Sequence, residues 1–204
     1  MIVGITGGTG CGKTTALQAV QALGGLTLDC DAIYHELLKS DKKMLAVLAR
    51  RFPEAVESGN LNRKKLGAIV FADPAALEDL NAITHAAVQR EVLARLQNRQ
   101  ESLAAIDAIA LFESGLASLC DKTVAIVAPE EERVARLMIR EGISENYARA
   151  RIAAQKPESF FRENCTAVLE NRGTKEAFFE TCKAFFAELL SAEIETDCKE
   201  NFYE

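Results

Sequence analysis

Apolar residues follow two rhythms along the chain: short unbroken runs, and longer stretches with an apolar position every third or fourth residue. The first run, Ile2-Val3-Gly4-Ile5-Thr6, has the length of a buried strand and ends in glycines. From Lys13 to Leu23 the spacing is helical, and Gly24-Gly25 stops it. A second short run, Leu26-Thr27-Leu28, leads into Asp29-Cys30-Asp31. Two carboxylates are therefore expected just past a strand's carboxyl end, the edge at which open parallel sheets bind ligands.

Between Asp31 and about Arg99 the strand rhythm disappears; Ala, Leu, Lys, Arg and Glu dominate, interrupted by Pro53, Ser58-Gly59-Asn60 and Asp73-Pro74. This region is expected as a helical insertion, because short apolar runs resume at 104–112 and 123–128. Residues 130–141 form a charged amphipathic pattern closed by Gly142, and Ser144 begins a second basic helix. Residues 167–169 read as the last strand, 175–190 as the closing helix, and 191–204, with Glu193, Glu195, Asp197 and Glu204, as an acidic mobile tail. Strands separated by helices predict an α/β fold with three layers. A single domain is expected, with a core of 1–31, 100–140 and 165–190, a helical region of 32–99 and a lid of about 141–164.

Composition narrows the classes of partner. With 204 residues and 49% hydrophobic content the chain can bury a full core. Its 24 basic and 30 acidic side chains give a net charge of −6, so no global positive field recruits nucleic acid, and any phosphate site must be local. Cys11, Cys30, Cys120, Cys165, Cys182 and Cys198 lack paired spacing and read as reduced thiols. No leader pattern and no apolar stretch of about 18 residues is present, so a cytoplasmic protein without membrane contact, monomeric or weakly self-associating, is expected. His35 and His85 have no Cys or Asp at ligand spacing, which argues against metal binding by them.

Chemistry enters with Gly7-Gly8-Thr9-Gly10-Cys11-Gly12-Lys13-Thr14, a full match to G-x-x-x-x-G-K-[ST] between a strand and a helix. Glycines let successive backbone N–H groups turn toward a triphosphate, and the helix that follows aims its positive dipole end at the same anion. Gly8, Gly10, Cys11, Gly12, Lys13, Thr14 and Thr15 are the expected ATP contacts. Lys13 would lie on the β- and γ-phosphates, and Thr14 would be a ligand of Mg2+. The fold class sharpens to a three-layer α/β/α P-loop NTPase core with a parallel sheet, a helical substrate-binding insertion and a short helical lid.

The guanine-reading Asn-Lys-x-Asp of GTPases is absent, which favours a kinase. Transfer to a hydroxyl needs a carboxylate to accept or orient its proton, and Asp31 is the candidate. Asp29 is close enough to help hold a magnesium hydration shell; either aspartate could instead be a helix N-cap. Arg136, Arg140, Arg149 and Arg151 form the densest supply of cations for the transition-state charge, although arginines on helix faces often only solvate them.

The ordered set of motifs is more specific than the loop. It comprises Thr6 to Thr15, Asp29-Cys30-Asp31, Gly59 to Leu66 running to Val70-Phe71, Leu80-Asn81-Ala82-Ile83-Thr84-His85, Leu111-Phe112-Glu113, Arg136 to Arg140, and Ala148 to Gln155. In this the chain resembles the dephospho-CoA kinase family from about residue 2 to 190. The resemblance implies transfer of the ATP γ-phosphate to the ribose 3′-hydroxyl of dephospho-CoA, the last step of coenzyme A synthesis, with Mg2+. It implies Asp31 as base, Arg63, Phe71, His85 and Glu113 around the acceptor, and Arg140 with Gln155 in the lid. Arg63 suits a pyrophosphate and Phe71 could stack on adenine, although a surface charge and a core aromatic explain them equally. The chain departs from the family pattern at Ala86, Ile109-Ala110, Phe161 and Thr166, which bears on the substrate pocket and lid. A kinase for another nucleoside or small alcohol, and a silent nucleotide-binding module, are the alternatives.

Overall fold

The computed structural model describes residues 1–57 and 60–200, with side chains from 193 onward left out; Ser58, Gly59 and residues 201–204 lie outside it. In chain order the elements are β1 (Ile2–Thr6), α1 (Lys13–Ala22), β2 (Leu26–Asp29), α2 (Cys30–Ser40), α3 (Lys42–Arg51), β3 (Val56–Glu57), β4 (Asn60–Leu61), α4 (Arg63–Ala72), α5 (Pro74–Gln97), β5 (Ala104–Asp107), β6 (Lys122–Val127), α6 (Glu130–Glu141), α7 (Glu145–Ala153), α8 (Glu158–Asn164), β7 (Ala167–Glu170) and α9 (Lys175–Glu200). They pack as two compact units, one of residues 1–28, 99–112 and 116–204, the other of residues 29–98 and 113–115.

The first unit is an α/β sandwich around a sheet of order β2-β5-β1-β6-β7. β1 runs parallel to β5 and β6, and β6 parallel to β7, a pattern that requires a crossover between successive strands. The inner strands are apolar over most of their length because both faces are covered. Val3, Ile5, Val124 and Ile126 pack with Ala16, Leu17 and Val20 of α1 and Phe178 and Phe186 of α9. On the opposite face Ala125 and Val127 are covered by Phe161 of α8. Phe161, a departure from the family pattern, is thus a core residue, and α8, grouped with the lid on sequence, packs on the sheet.

Two boundaries differ from those read in the sequence. The run 104–112 is expected as one strand, but β5 ends at Asp107 and the chain then turns. Leu111 and Leu116 are buried in that turn, and the Ala117 amide closes it on the Leu111 carbonyl at 3.0 Å. Apolar residues that plug a core from a turn look like strand residues in sequence. α9 continues to Glu200, so the backbone of 191–200, expected as a tail, is helical; the side chains of Glu193, Glu195, Asp197 and Cys198, and Glu204 itself, lie outside the description.

In the second unit α2, α3 and α4 pack on the long α5. Ion pairs support the arrangement: Arg51 with Asp79 at 2.6 Å, Arg95 with Glu36 at 2.6 Å, and Arg90 with Asp41. Ala86 lies inside α5, where proline would remove an amide donor and break the helix. β3 and β4 pair antiparallel with Val56 opposite Leu61, a hairpin of two-residue strands too short to show any period in sequence. No disulfide joins Cys11, Cys30, Cys120, Cys165 or Cys182. Among the described residues no helix is long and apolar enough to cross a membrane.

Candidate active site

The glycine loop leaves the carboxyl end of β1 and enters α1 at Gly12, whose φ of 106° is left-handed. A side chain there would be strained by that backbone and would also overlap the Asn171 amide. Gly7, at φ 135°, is restricted likewise, because a Cβ would overlap the Ile126 carbonyl. No side chain caps α1 and no acidic residue occupies its first turn. The amino end of the helix therefore keeps its partial positive charge for an anion.

Lys13 folds back over the loop, its Nζ donating to the Gly7 carbonyl at 3.1 Å. Thr14 is exposed on the first turn, while Thr15 is buried behind it. Cys11 is 1% exposed and its side chain belongs to the core cluster beneath the loop, so only its backbone faces the site. Burial pushes its thiol pKa up, against the lowering influence of Lys13 and Arg133.

Four groups outside the motif hold this loop, and of them Asn171 was not singled out from sequence while Arg133 was noted only as part of the charged α6 pattern. Asn171, just past β7, is 5% exposed and donates from Nδ2 to the Cys11 carbonyl at 2.8 Å. Arg133, on the first turns of α6, donates from Nε to the Thr9 carbonyl at 2.9 Å. Arg136 donates from Nη1 to the Gly10 carbonyl at 3.2 Å while its Nη2 pairs with Glu132 at 2.6 Å. Gln155, placed in the lid by resemblance, accepts from the Thr9 amide at 2.8 Å.

Asp107 was also missed. It ends β5 opposite Ile5 of β1, with one carboxylate oxygen buried, and its charge contributes to raising the Cys11 pKa. A carboxylate at the end of a strand beside the phosphate loop is where P-loop proteins keep their second magnesium-holding group. A lone acidic residue inside the otherwise apolar run 104–112 was the available signal.

Arg140, Arg149, Arg151 and Arg162 are held in three sets of ion pairs. Arg140 pairs with Glu141 at 2.5 Å, and Arg151 closes on the same carboxylate. Arg149 is held by Glu130 at 3.2 Å, Glu131 at 2.7 Å and Glu145 at 2.9 Å, so it ties α6 to α7. Arg162 likewise joins Glu158 and Glu170.

In the second unit the two aspartates take different roles. Asp29 is the N-cap of α2, its Oδ1 accepting from the Ala32 amide at 3.0 Å. This is the capping alternative to magnesium binding. The Asp31 carboxylate is exposed and bonded to no other described residue. His35 Nδ1 lies 2.7 Å from the Asp31 carbonyl oxygen and 4 positions along α2. A carbonyl can only accept, so Nδ1 carries a proton, and Nε2 faces Arg63 Nη2 at 3.5 Å as an acceptor. Asp31, His35 and Arg63 are thereby brought together. His85 has its pKa lowered by burial, opposed by the nearby Glu113 carboxylate. Phe71 is 86% exposed at the end of α4.

Similarity to known proteins extends over most of the chain. The family model for dephospho-CoA kinase matches residues 1–176. Dephospho-CoA kinase of Thermus thermophilus is 38% identical over 189 residues, 93% of this chain and 92% of that protein. Its counterpart in Anaeromyxobacter dehalogenans is 39% identical over 193 residues, covering 92% of each. A crystal structure of a Thermus thermophilus protein, 38% identical, superposes with a TM-score of 0.79 over 93% of this chain and 97% of the other. A shikimate kinase from Acinetobacter baumannii, at 16% identity and a TM-score of 0.55 over 94% and 93% of the two chains, shares the fold.

Proposed function

We propose, on the premise that this chain belongs to the dephospho-CoA kinase family and so phosphorylates dephospho-CoA with ATP, that transfer to the ribose 3′-hydroxyl is carried by Lys13, Asp31 and Arg140. The single observation behind the ATP half is the loop at the amino end of α1, uncapped and free of acidic side chains in the helix's first turn. Its amides bind the polyphosphate, and Lys13 exchanges the Gly7 carbonyl for the β- and γ-phosphate oxygens.

Asp31 accepts the proton of the attacking hydroxyl. Its carboxylate is uncommitted, in contrast to that of Asp29, which supports the assignment. Arg63 binds the acceptor's pyrophosphate, with His35 Nε2 orienting the guanidinium, and exposed Phe71 stacks on its base. His85 and Glu113 line the same substrate region. Arg140 moves from Glu141 to the transferring phosphoryl group, where charge accumulates.

Hydroxyl and carboxylate oxygens suit a hard divalent cation, so the Thr14 hydroxyl and the Asp107 carboxylate would hold magnesium, Asp107 replacing Asp29 in that role. The ion would supply charge neutralisation at the phosphates.

Incubating the purified chain with ATP, Mg2+ and dephospho-CoA tests the proposal. ADP should form only with the acceptor present, and phosphorus NMR should place the new phosphate on the 3′-oxygen. Turnover of nucleosides without turnover of dephospho-CoA would instead support the alternative kinase.

A further inference from the structure

Thr9, the third residue of the phosphate loop, has both polar atoms of its backbone held by α6 and the segment after α7. Gln155 Oε1 accepts from the Thr9 amide at 2.8 Å, and Arg133 Nε donates to the Thr9 carbonyl at 2.9 Å. The two side chains also meet, Arg133 Nη2 donating to Gln155 Oε1 at 3.3 Å. Arg133 and Gln155 therefore form a closed bracket around one residue of the loop.

The bracket explains a glycine that backbone geometry does not. Gly8 is not among the glycines with positive φ, so its conformation is open to other residues. A Cβ at Gly8 would, however, overlap the Arg133 guanidinium and come within 3.2 Å of Gln155 Oε1. The absence of a side chain at position 8 leaves room for the guanidinium against the loop.

We propose that Arg133 is a positioning residue for ATP: its guanidinium fixes the orientation of the peptides flanking Thr9 and, through Gln155, couples the loop to the segment that follows α7. Fixing a loop in advance reduces the ordering that nucleotide binding must supply, so the effect falls on ATP affinity. The planar fork is needed because Nε and Nη2 serve two different acceptors at once, which a lysine ammonium on one flexible stem does not reproduce. Phosphoryl transfer itself is left to other groups, so kcat at saturating ATP is preserved. The inference rests on the reading that residues 7–15 hold the phosphates of ATP.

The test combines steady-state kinetics with calorimetric titration of ADP, on the full chain, for Arg133→Gln, Arg133→Lys, Gln155→Ala and the double variant Arg133→Gln with Gln155→Ala. Loss of one charge-assisted hydrogen bond predicts KM for ATP and Kd for ADP raised on the order of tenfold in Arg133→Gln, with KM for dephospho-CoA and kcat little changed. Arg133→Lys should resemble Arg133→Gln. The double variant should cost less than the product of the two single effects, because both act on Thr9. Gly8→Ala should raise Kd for ADP in the wild-type background and add little once Arg133 is replaced. Wild-type ADP affinity in both Arg133→Gln and Gln155→Ala would overturn the proposal, as would full rescue by lysine, which would leave charge alone as the cause. Failure of the wild-type chain to bind ADP would instead refute the phosphate-loop reading beneath it.

Discussion

Asn171 Nδ2 donates to the carbonyl oxygen of Cys11 at 2.8 Å, so the end of β7 grips the phosphate loop across 160 positions of sequence. Truncation to alanine leaves that carbonyl without its donor in a buried setting, a loss of about 1–3 kcal/mol. Asn171→Ala should therefore lower Tm and weaken ADP binding together. Asn171→Asp should be worse, because a carboxylate would face the carbonyl. Thermal unfolding with and without ADP checks this; an unchanged Tm in Asn171→Ala would show that the loop does not depend on the bond.

Asp31 and Asp29 stand two positions apart and should respond differently to amidation. Asp31→Asn removes the proton acceptor and should lower kcat by about 100-fold or more while ADP affinity is kept. Asp29→Asn should be nearly silent, because asparagine caps a helix as well as aspartate does. Near-normal turnover in Asp31→Asn would remove it as the base.

For magnesium the informative change is Asp107→Asn. A neutral amide at the end of β5 should raise the Mg2+ concentration needed for half-maximal rate by about tenfold, with part of kcat restored at saturating metal. Rates titrated against Mg2+ at fixed ATP decide it. If Asp29→Asn rather than Asp107→Asn shifts that titration, the cap of α2 is also the metal ligand.

How far the sequence revealed these sites depended on how local each signal is. Gly7 to Thr14 could be read because the whole device is contiguous, and Asp29 and Asp31 because they follow a strand directly. Asn171 and Arg133 could not be found this way: their contacts with Cys11 and Thr9 arise from placing β6 and β7 beside β1, which no spacing records. Asp107 was hidden inside the apolar run 104–112, which was read through as strand although the strand ends at that residue. Thr166, a departure from the family pattern, makes sense only in the fold. It exchanges bonds with Thr123 at 2.9 Å and 3.1 Å, locking the start of β7 onto β6.

The His85 environment predicts a pH effect of defined sign. Burial lowers its folded pKa below the ordinary value, and the Glu113 carboxylate pulls the other way. Between the folded midpoint and about 6.5 the unfolded chain binds a proton that the folded chain refuses, so stability should rise with pH through that window and be lost as pH falls through it. A proton NMR titration should place the His85 midpoint below 6.5. Glu113→Gln should lower it further, since it removes the raising influence. A midpoint that rises in Glu113→Gln would contradict the arrangement.

Arg140 and Arg149 test whether the paired arginines of α6 and α7 are equivalent. Arg149 is held by three carboxylates from two helices, whereas Arg140 has Glu141, which it shares with Arg151. Releasing Arg140 toward a phosphoryl group leaves Glu141 still neutralised by Arg151, and the exchange is therefore inexpensive. Releasing Arg149 would leave Glu130, Glu131 and Glu145 facing one another. Arg140→Ala should thus lower kcat by on the order of 100-fold with Tm nearly unchanged, as expected for a group that acts on the transition state. Arg149→Ala should lower Tm in a salt-dependent way and leave kcat within about threefold of wild type. Stopped-time assays and melting curves at two ionic strengths separate the two outcomes. Should Arg149→Ala lose the turnover and Arg140→Ala lose only stability, the transferring phosphoryl group is met by α7 rather than by the end of α6.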